Sequence, residues 1–183
     1  MDTREGIKAL LDGKVLAYPT EGVWGLGCLP DHPDAVCRLL DLKRRDPDKG
    51  LILIAARYED LQPYIQLLNE EQQAKLESPG EPVTWLVPAV ENASVLLRGT
   101  HATQAVRITR HSLCRALCLE VGPLVSTSAN PEGAPPAKTS EEVEEMFGST
   151  IDGIVEGPLG GASGPSEIRD LLTGQVIRPV QAP

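Results

Sequence analysis

The stretch Val15-Leu-Ala-Tyr-Pro-Thr-Glu-Gly-Val-Trp-Gly-Leu-Gly27 limits what this chain can fold into more than any other part of it. Val15 to Tyr18 is a short apolar run with the β-branched and aromatic character of a buried strand. Pro19 has no N–H to donate, so the ladder is expected to end there. Thr20, Glu21, Gly22, Trp24, Gly25 and Gly27 then read as a Gly-rich loop at the carboxyl end of a strand, with one carboxylate and one large flat side chain. Open α/β sheets bind ligands at that end, and glycine lets backbone approach a ligand closely. The same residues also suit a plain connecting loop with a Trp over the core edge. This stretch alone leaves both readings open.

With 183 residues, the chain can bury a substantial core, and one domain spanning 1–183 is the simplest organisation. At 41% apolar and 23% charged residues it has a globular balance. No apolar run approaches the length that spans a bilayer, and Met1-Asp-Thr-Arg-Glu lacks the charged-then-apolar plan of a signal peptide. Cys28, Cys37, Cys114 and Cys118 form no CxxC pair. Cys114 and Cys118 lie one helical turn apart beside Leu113 and Leu117, which suits buried free thiols. A cytoplasmic location is therefore expected, and the sequon Asn92-Ala-Ser94 is a chance match.

The net charge of −9 argues against a broad nucleic-acid surface, which needs surplus Lys and Arg. The cations are nevertheless clustered: Lys43, Arg44, Arg45, Lys49 and Arg57 in one stretch, Arg98, Arg107, Arg110 and Arg115 in another. Local basic clusters on an acidic protein fit a concave site for a small anion. Two Trp, three Tyr and one Phe are too few for a base-stacking platform.

In chain order, Asp2 with Glu5 caps a first helix that ends at Gly13. Asp31 and Pro33 open a second, with Val36, Leu39 and Leu40 on one apolar face, running into Lys43-Arg-Arg-Asp-Pro-Asp-Lys49. Gly50 to Ala56 reads as a strand buried on both faces. Tyr58 to Glu77 reads as helical, broken near Pro63. Strands are expected at Val83–Val87, Gln104–Thr109 and Leu124–Ser128, with a short helix from His111 or Ser112 to Val121. Thr139 and Glu142 form a capping box for a further helix. A brief strand at Ile154-Val-Glu precedes a terminal hairpin, Glu167–Leu172 and Gln175–Val180. Strand–helix alternation followed by clustered hairpins gives an α/β domain on a twisted, mixed parallel and antiparallel sheet.

Several familiar sites are absent. There is no GxxxxGK[ST] phosphate loop, and Gly25-Leu-Gly27 lacks the third glycine of a dinucleotide fingerprint. His32, His101 and His111 are isolated, with no zinc-like His/Cys spacing. Ser126 and Ser128 have no evident His and acid partners for hydrolase chemistry. Two pairs carry more. Lys43 and Arg45 are two apart in what reads as extended backbone, which would point both the same way, with Lys49 following. Ser128 and Asn130 are two apart just past a strand end. Cations in one loop with hydroxyl and amide donors in another suit a polyphosphate and its metal; a solvated charge run and a plain turn are the alternatives.

Taken together, the stretch Pro19 to Gly27, Lys43-x-Arg45 with Lys49, Pro82-Val-Thr-Trp85, Ala105-Val-Arg107, Ser126-Thr-Ser-Ala-Asn130 and Pro165-Ser-Glu-Ile-Arg-Asp170 resemble, in order, the YrdC/TsaC family. The resemblance runs from about Gly6 to Arg178 and is to the short bacterial form, without the extra C-terminal domain of longer relatives. It implies a twisted open sheet around a deep, positively lined cavity. It also implies L-threonylcarbamoyladenylate synthase activity: L-threonine, bicarbonate or CO2, and ATP give threonylcarbamoyl-AMP and pyrophosphate. Partner proteins of the t6A pathway then use the product to modify tRNA, and tRNA itself is contacted weakly or indirectly.

By the same resemblance, Lys43, Arg45, Ser128 and Asn130 are the catalytic tetrad. Arg45, Lys49, Thr103, Ser128, Asn130 and Arg178 serve ATP, while Thr20, Gly22, Arg107, Ser126 and Ser166 serve threonine. Mg2+ is held mainly by the ATP phosphates and by no dedicated protein ligand. Two departures stand out: Gly22 where many members carry threonine, and Gly50 where relatives often have proline, which would loosen the Lys49 loop. The alternative function is an RNA-binding or ribosome-maturation module of the same fold, gripping RNA at the cavity rim.

Overall fold

The helices follow from caps and apolar spacing. In the computed structural model, which describes residues 1–179, α1 (Thr3–Leu11) starts in a reciprocal box. Asp2 Oδ1 accepts from Glu5 N at 2.8 Å, and Glu5 Oε2 accepts from Asp2 N at 2.9 Å. The second helix, α2 (Pro33–Lys43), begins after His32 with proline at its first position and buries Val36, Leu39 and Leu40. Shorter helices follow as α3 (Glu70–Leu76), α4 (Val95–Arg98), α5 (Ser112–Val121) and α6 (Ser140–Phe147).

Among the described residues nine strands make one sheet: β1 (Leu16–Pro19), β2 (Trp24–Cys28), β3 (Ile52–Ala55), β4 (Val83–Pro88), β5 (Thr103–Ile108), β6 (Leu124–Ser128), β7 (Gly153–Ile154), β8 (Glu167–Asp170) and β9 (Val176–Arg178). Their order is β7-β1-β2-β6-β3-β5-β4-β8-β9. Pairs β1–β7, β3–β5 and β4–β8 are parallel and the rest antiparallel, so the sheet is mixed.

Strand alternation sends Ala17, Leu26, Leu53, Val106 and Val125 into one core with Val36 and Leu39 of α2. Leu16, Tyr18, Ile54 and Leu124 go into a second core with Leu10 of α1 and Cys114, Leu117 and Cys118 of α5. Each fully buried leucine there contributes about 1.5–3 kcal/mol of transfer free energy. Burial pushes the Cys28 and Cys118 thiols up to about 12, so they behave as small apolar side chains.

The second core covers only part of its sheet face. The register Gly27–Ser126–Ile52–Ala105–Leu86 crosses the same face beyond it, and no helix lies over that row. That uncovered half becomes a cavity.

Several local expectations change. Pro19 does not end β1 early: it pairs with Trp24 at the last position, and Thr20 N donates to Val23 O (3.1 Å) to close a tight turn. Trp24 to Gly27 is thus the return strand of a hairpin and not a loop. Gly25 and Gly27 are there because Tyr18 crosses over them; a Cβ on Gly27 would lie 2.1 Å from Tyr18 Oη.

Tyr58 to Glu77 is not one broken helix. A short 3-10 turn at Tyr58–Leu61 gives way at Pro63, Ile65 bridges to Ala89, and Asn69 caps α3 afresh. At α6, Thr139 Oγ1 accepts from Glu142 N (3.2 Å), but Glu142 Oε2 reaches past the cap to Lys138 N (2.6 Å), so the box is not reciprocal. The strand near Ile154 is Gly153–Ile154, and the terminal hairpin is β8 with β9; Val180, its expected end, lies outside the described residues.

Candidate active site

Four segments enclose a cavity of about 460 Å3, within the size range of small-molecule sites. They are the Thr20–Val23 turn, the loop after α2, the loop after β6, and a strap, residues 157–166, that leads into β8. The strap is laid over the turn by main-chain bonds from Gly160 N to Thr20 O (3.0 Å) and Ala162 N to Glu21 O (2.8 Å). His111 Nε2 holds its other side at Pro158 O (2.9 Å). A Cβ on Gly22 would lie 2.2 Å from Gly164 O, so the strap sits where any side chain at position 22 would be.

Every residue expected at the site lines this cavity except Lys43. Thr20 donates its hydroxyl to Val23 O at 2.7 Å, so it shapes the turn. Ser126, Ser128 and Thr103 present side chains from the open half of the sheet. Ser166 Oγ lies 2.7 Å from Thr84 Oγ1, and Arg178 Nη2 donates to Ser166 O at 2.7 Å, which ties β9 to the strap.

Asn130 turns its Nδ2 into its own loop, onto Ala134 O (2.8 Å) and Pro131 O (3.1 Å). That loop is fastened to the hairpin by Ala129 N to Trp24 O (2.8 Å) and Trp24 N to Ala137 O (2.9 Å).

The loop after α2 departs from the expected extended backbone. Lys43 is the last helical residue, and Arg44 takes the left-handed cap conformation with φ 51°. Arg44 is exposed, whereas Lys43 is buried. Lys43 Nζ donates to the main-chain oxygens of Ser128 and of Asn130, the latter at 2.7 Å. It therefore braces the Ser128–Asn130 turn from behind. Burial first, and the neighbouring Arg45 second, lower its pKa to about 8.

Arg45 forks onto Gly50 O through Nε (3.2 Å) and Nη2 (2.9 Å). Gly50 has φ +65°, and a Cβ there would meet Arg98 O at 2.7 Å, so only glycine fits. The loop is tied at that glycine and not loosened by it. Lys49 pairs with Glu132 at the half-exposed rim.

Sequence reasoning did not assign Arg98, His101 or Glu21 to the cavity, yet all three line it. Arg98 was visible as a member of a basic cluster, and Glu21 as the one carboxylate in the opening stretch. Arg45, Lys49, Arg98, Arg107 and Arg178 converge here against that single carboxylate among the described lining residues. Arg178 is pulled below the ordinary arginine range by burial and then by Arg107 and Arg45, so these guanidinium groups feel one another. Arg45 is lowered by burial. Such a site is built for anions.

The Sua5/YciO/YrdC family profile, whose description reads "Telomere recombination", matches residues 8–179. The chain belongs to this family. It is 50% identical over 184 residues to the threonylcarbamoyl-AMP synthase of Vibrio parahaemolyticus, covering 97% of this chain and 99% of that one. Identity to the threonylcarbamoyl-AMP synthase of Photorhabdus laumondii is 52% over 177 residues, covering 94% and 93%. Among solved structures, P. abyssi Sua5 complexed with L-threonine superposes with a TM-score of 0.87 at 31% identity. That match covers 97% of this chain and 53% of the longer Sua5 chain.

Proposed function

We propose that this chain is an L-threonylcarbamoyladenylate synthase, a nucleotidyltransferase that makes threonylcarbamoyl-AMP and pyrophosphate from L-threonine, bicarbonate or CO2, and ATP. The observation that carries the reading is the convergence of five cations on one cavity in a chain of net charge −9. Relatives of nearly equal length bearing the synthase name support it over an RNA-binding module. The inward aim of the cations supports it too, since an RNA footprint needs them on the outside.

The threonine amine adds to CO2, loses a proton and becomes a carbamate. A carbamate oxygen then attacks the α-phosphorus, and the bond to the β-phosphate oxygen breaks to release pyrophosphate. The nucleophile is already anionic, so no strong general base is required and positioning and charge stabilisation dominate.

Arg45 and Lys49 hold the phosphates, with Glu132 giving up Lys49 as they arrive. Ser128 offers its hydroxyl to them, and Lys43 and Asn130 fix the turn that carries it. Thr103 and Arg178 border the nucleotide. Arg107 takes the threonine carboxylate between Ser126, Ser166 and the Thr20–Gly22 turn.

Mg2+ would neutralise phosphate charge in the transition state. The site fits an ion carried in by ATP: its one carboxylate, Glu21, is already engaged by Arg107 and Thr109, leaving phosphate oxygens and water as ligands. The adenylate passes to partner proteins of the t6A pathway.

Incubation with L-threonine, bicarbonate, Mg-ATP and pyrophosphatase should yield threonylcarbamoyl-AMP by mass spectrometry. A folded, ATP-binding protein that makes none would overturn the proposal. Tight, steeply salt-dependent binding of bare tRNA would favour the RNA-binding reading instead.

A further inference from the structure

Arg107 differs from its neighbours in how it is held. Arg45, Arg98 and Arg178 each donate to main-chain oxygens, of Gly50, His101 and Ser166 respectively. Arg107 has no such anchor among the described residues. Its Nε is buried without a hydrogen-bond partner, and its Nη2 lies 3.2 Å from Glu21 Oε2, an oxygen that is itself buried and unpartnered. The side chains are 10% and 13% exposed.

Glu21, by contrast, is fixed from three sides. Oε1 accepts from Thr109 Oγ1 (2.7 Å) and Arg110 N (3.3 Å), and its main-chain oxygen accepts from Ala162 N (2.8 Å) in the strap. Burial alone would raise this carboxyl, but Arg107 and the bonds from Thr109 and Arg110 outweigh it and hold it below the usual range. It is a fixed negative charge, and the arginine rests against it.

We infer that Glu21 is a positioning residue that aims the Arg107 guanidinium into the cavity and sorts the two anionic substrates by charge. This deepens the proposed function and rests on it. At this end Arg107 and Arg178 supply two positive charges and Glu21 removes one. A single carboxylate therefore balances the end, while a phosphate dianion leaves it in excess. At the other end Arg45 and Lys49 face no buried acid, and a polyphosphate is accommodated. Glu21 thus keeps the amino acid and the triphosphate from exchanging places.

The test is calorimetric titration of L-threonine and, separately, of ATP into the wild type and Glu21→Gln, an isosteric change. The expected result is at least about a tenfold loss of threonine affinity with ATP affinity within about twofold. Thr109→Val, which removes one bond to Glu21 and keeps its charge, should weaken threonine in the same direction by less. In an Arg107→Met background, Glu21→Gln should cost no further threonine affinity, because its action runs through that arginine.

A purely structural Glu21 would lower the melting temperature and leave both affinities of the folded protein unchanged. Equal threonine affinity in wild type and Glu21→Gln, or an additive double variant, overturns this inference alone. A wild-type protein that binds no L-threonine overturns both it and the function beneath it.

Discussion

One face of the sheet is built two ways. Beneath α1 and α5 it presents Leu16, Tyr18, Ile54 and Leu124, all fully buried. A few residues along the same strands it presents Ser126, Ser128, Ala105 and Thr103 to a cavity. Strand β6 passes from one regime to the other within five residues, Leu124–Ser128. Arg107 stands at the border, paired across β3 with Ile54. The backbone ladder is continuous through both halves, so the difference lies in what covers the face. Where helices cover it, apolar packing supplies stability; where only the strap and loops cover it, polar groups can wait for a ligand. The division predicts that stability and activity can be changed separately.

The largest effect belongs to the covered half. Leu117→Ala should destabilise the fold by about 2–5 kcal/mol through transfer and cavity terms, while kcat/KM of the folded fraction stays unchanged. A loss of activity without a loss of melting temperature would break the division.

In the open half, Arg45→Lys keeps the charge but cannot fork, and should cost about 2–4 kcal/mol in the transition state, one to several orders of magnitude in rate. Its melting temperature should barely move. Next, discrimination of threonine from serine rests on one methyl, worth about 1–3 kcal/mol, so serine should be a measurable but poor substrate; equal kcat/KM values would contradict this.

Lys43 belongs to both halves, being buried like core yet braced beneath the site. Its folded-state pKa of about 8 lies below that of an ordinary lysine. Between there and the unfolded value the unfolded chain binds more protons, so this residue's contribution to stability rises with pH. The slope is at most about 1.4 kcal/mol per pH unit. Loss of its charge beside Arg45 should lower ATP affinity over the same window, so stability and activity diverge above that pH. Denaturation and ATP titrations of wild type against Lys43→Met isolate the difference. The smallest effect is Arg44→Lys, whose side chain faces solvent: a change within about 0.5 kcal/mol and no loss of rate.

Most elements were legible because their signals are local. Asp2 with Glu5, Pro33 at a helix start and the alternation in Leu124–Ser128 need no knowledge of distant partners. The opening hairpin was not legible, because glycine reads as a loop former. Gly25 and Gly27 are strand residues only because Tyr18, from the paired strand, occupies the space their side chains would need.

The same limit applied to Lys43. Its spacing from Arg45 suggested a shared direction, and the left-handed Arg44 between them, set by a helix end, turned it the other way. The cavity-lining set was gathered from short motifs, each tied to its own strand end. The Glu21–Arg107 contact escaped, since it joins a turn to a strand far along the chain and leaves no periodic trace in either.

The strand order has a kinetic consequence. Leu16 pairs with Gly153, Gly25 with Ser128 and Val83 with Glu167, so the walls of the open half meet only after long loops close. The entropy of closure falls before those contacts reward it, which places the assembly of that half late on the folding path. The tight hairpins β1–β2 and β8–β9 can form early and wait. A molecule that fills the cavity therefore meets the chain after its slowest step: it delays unfolding and leaves the refolding rate where it was.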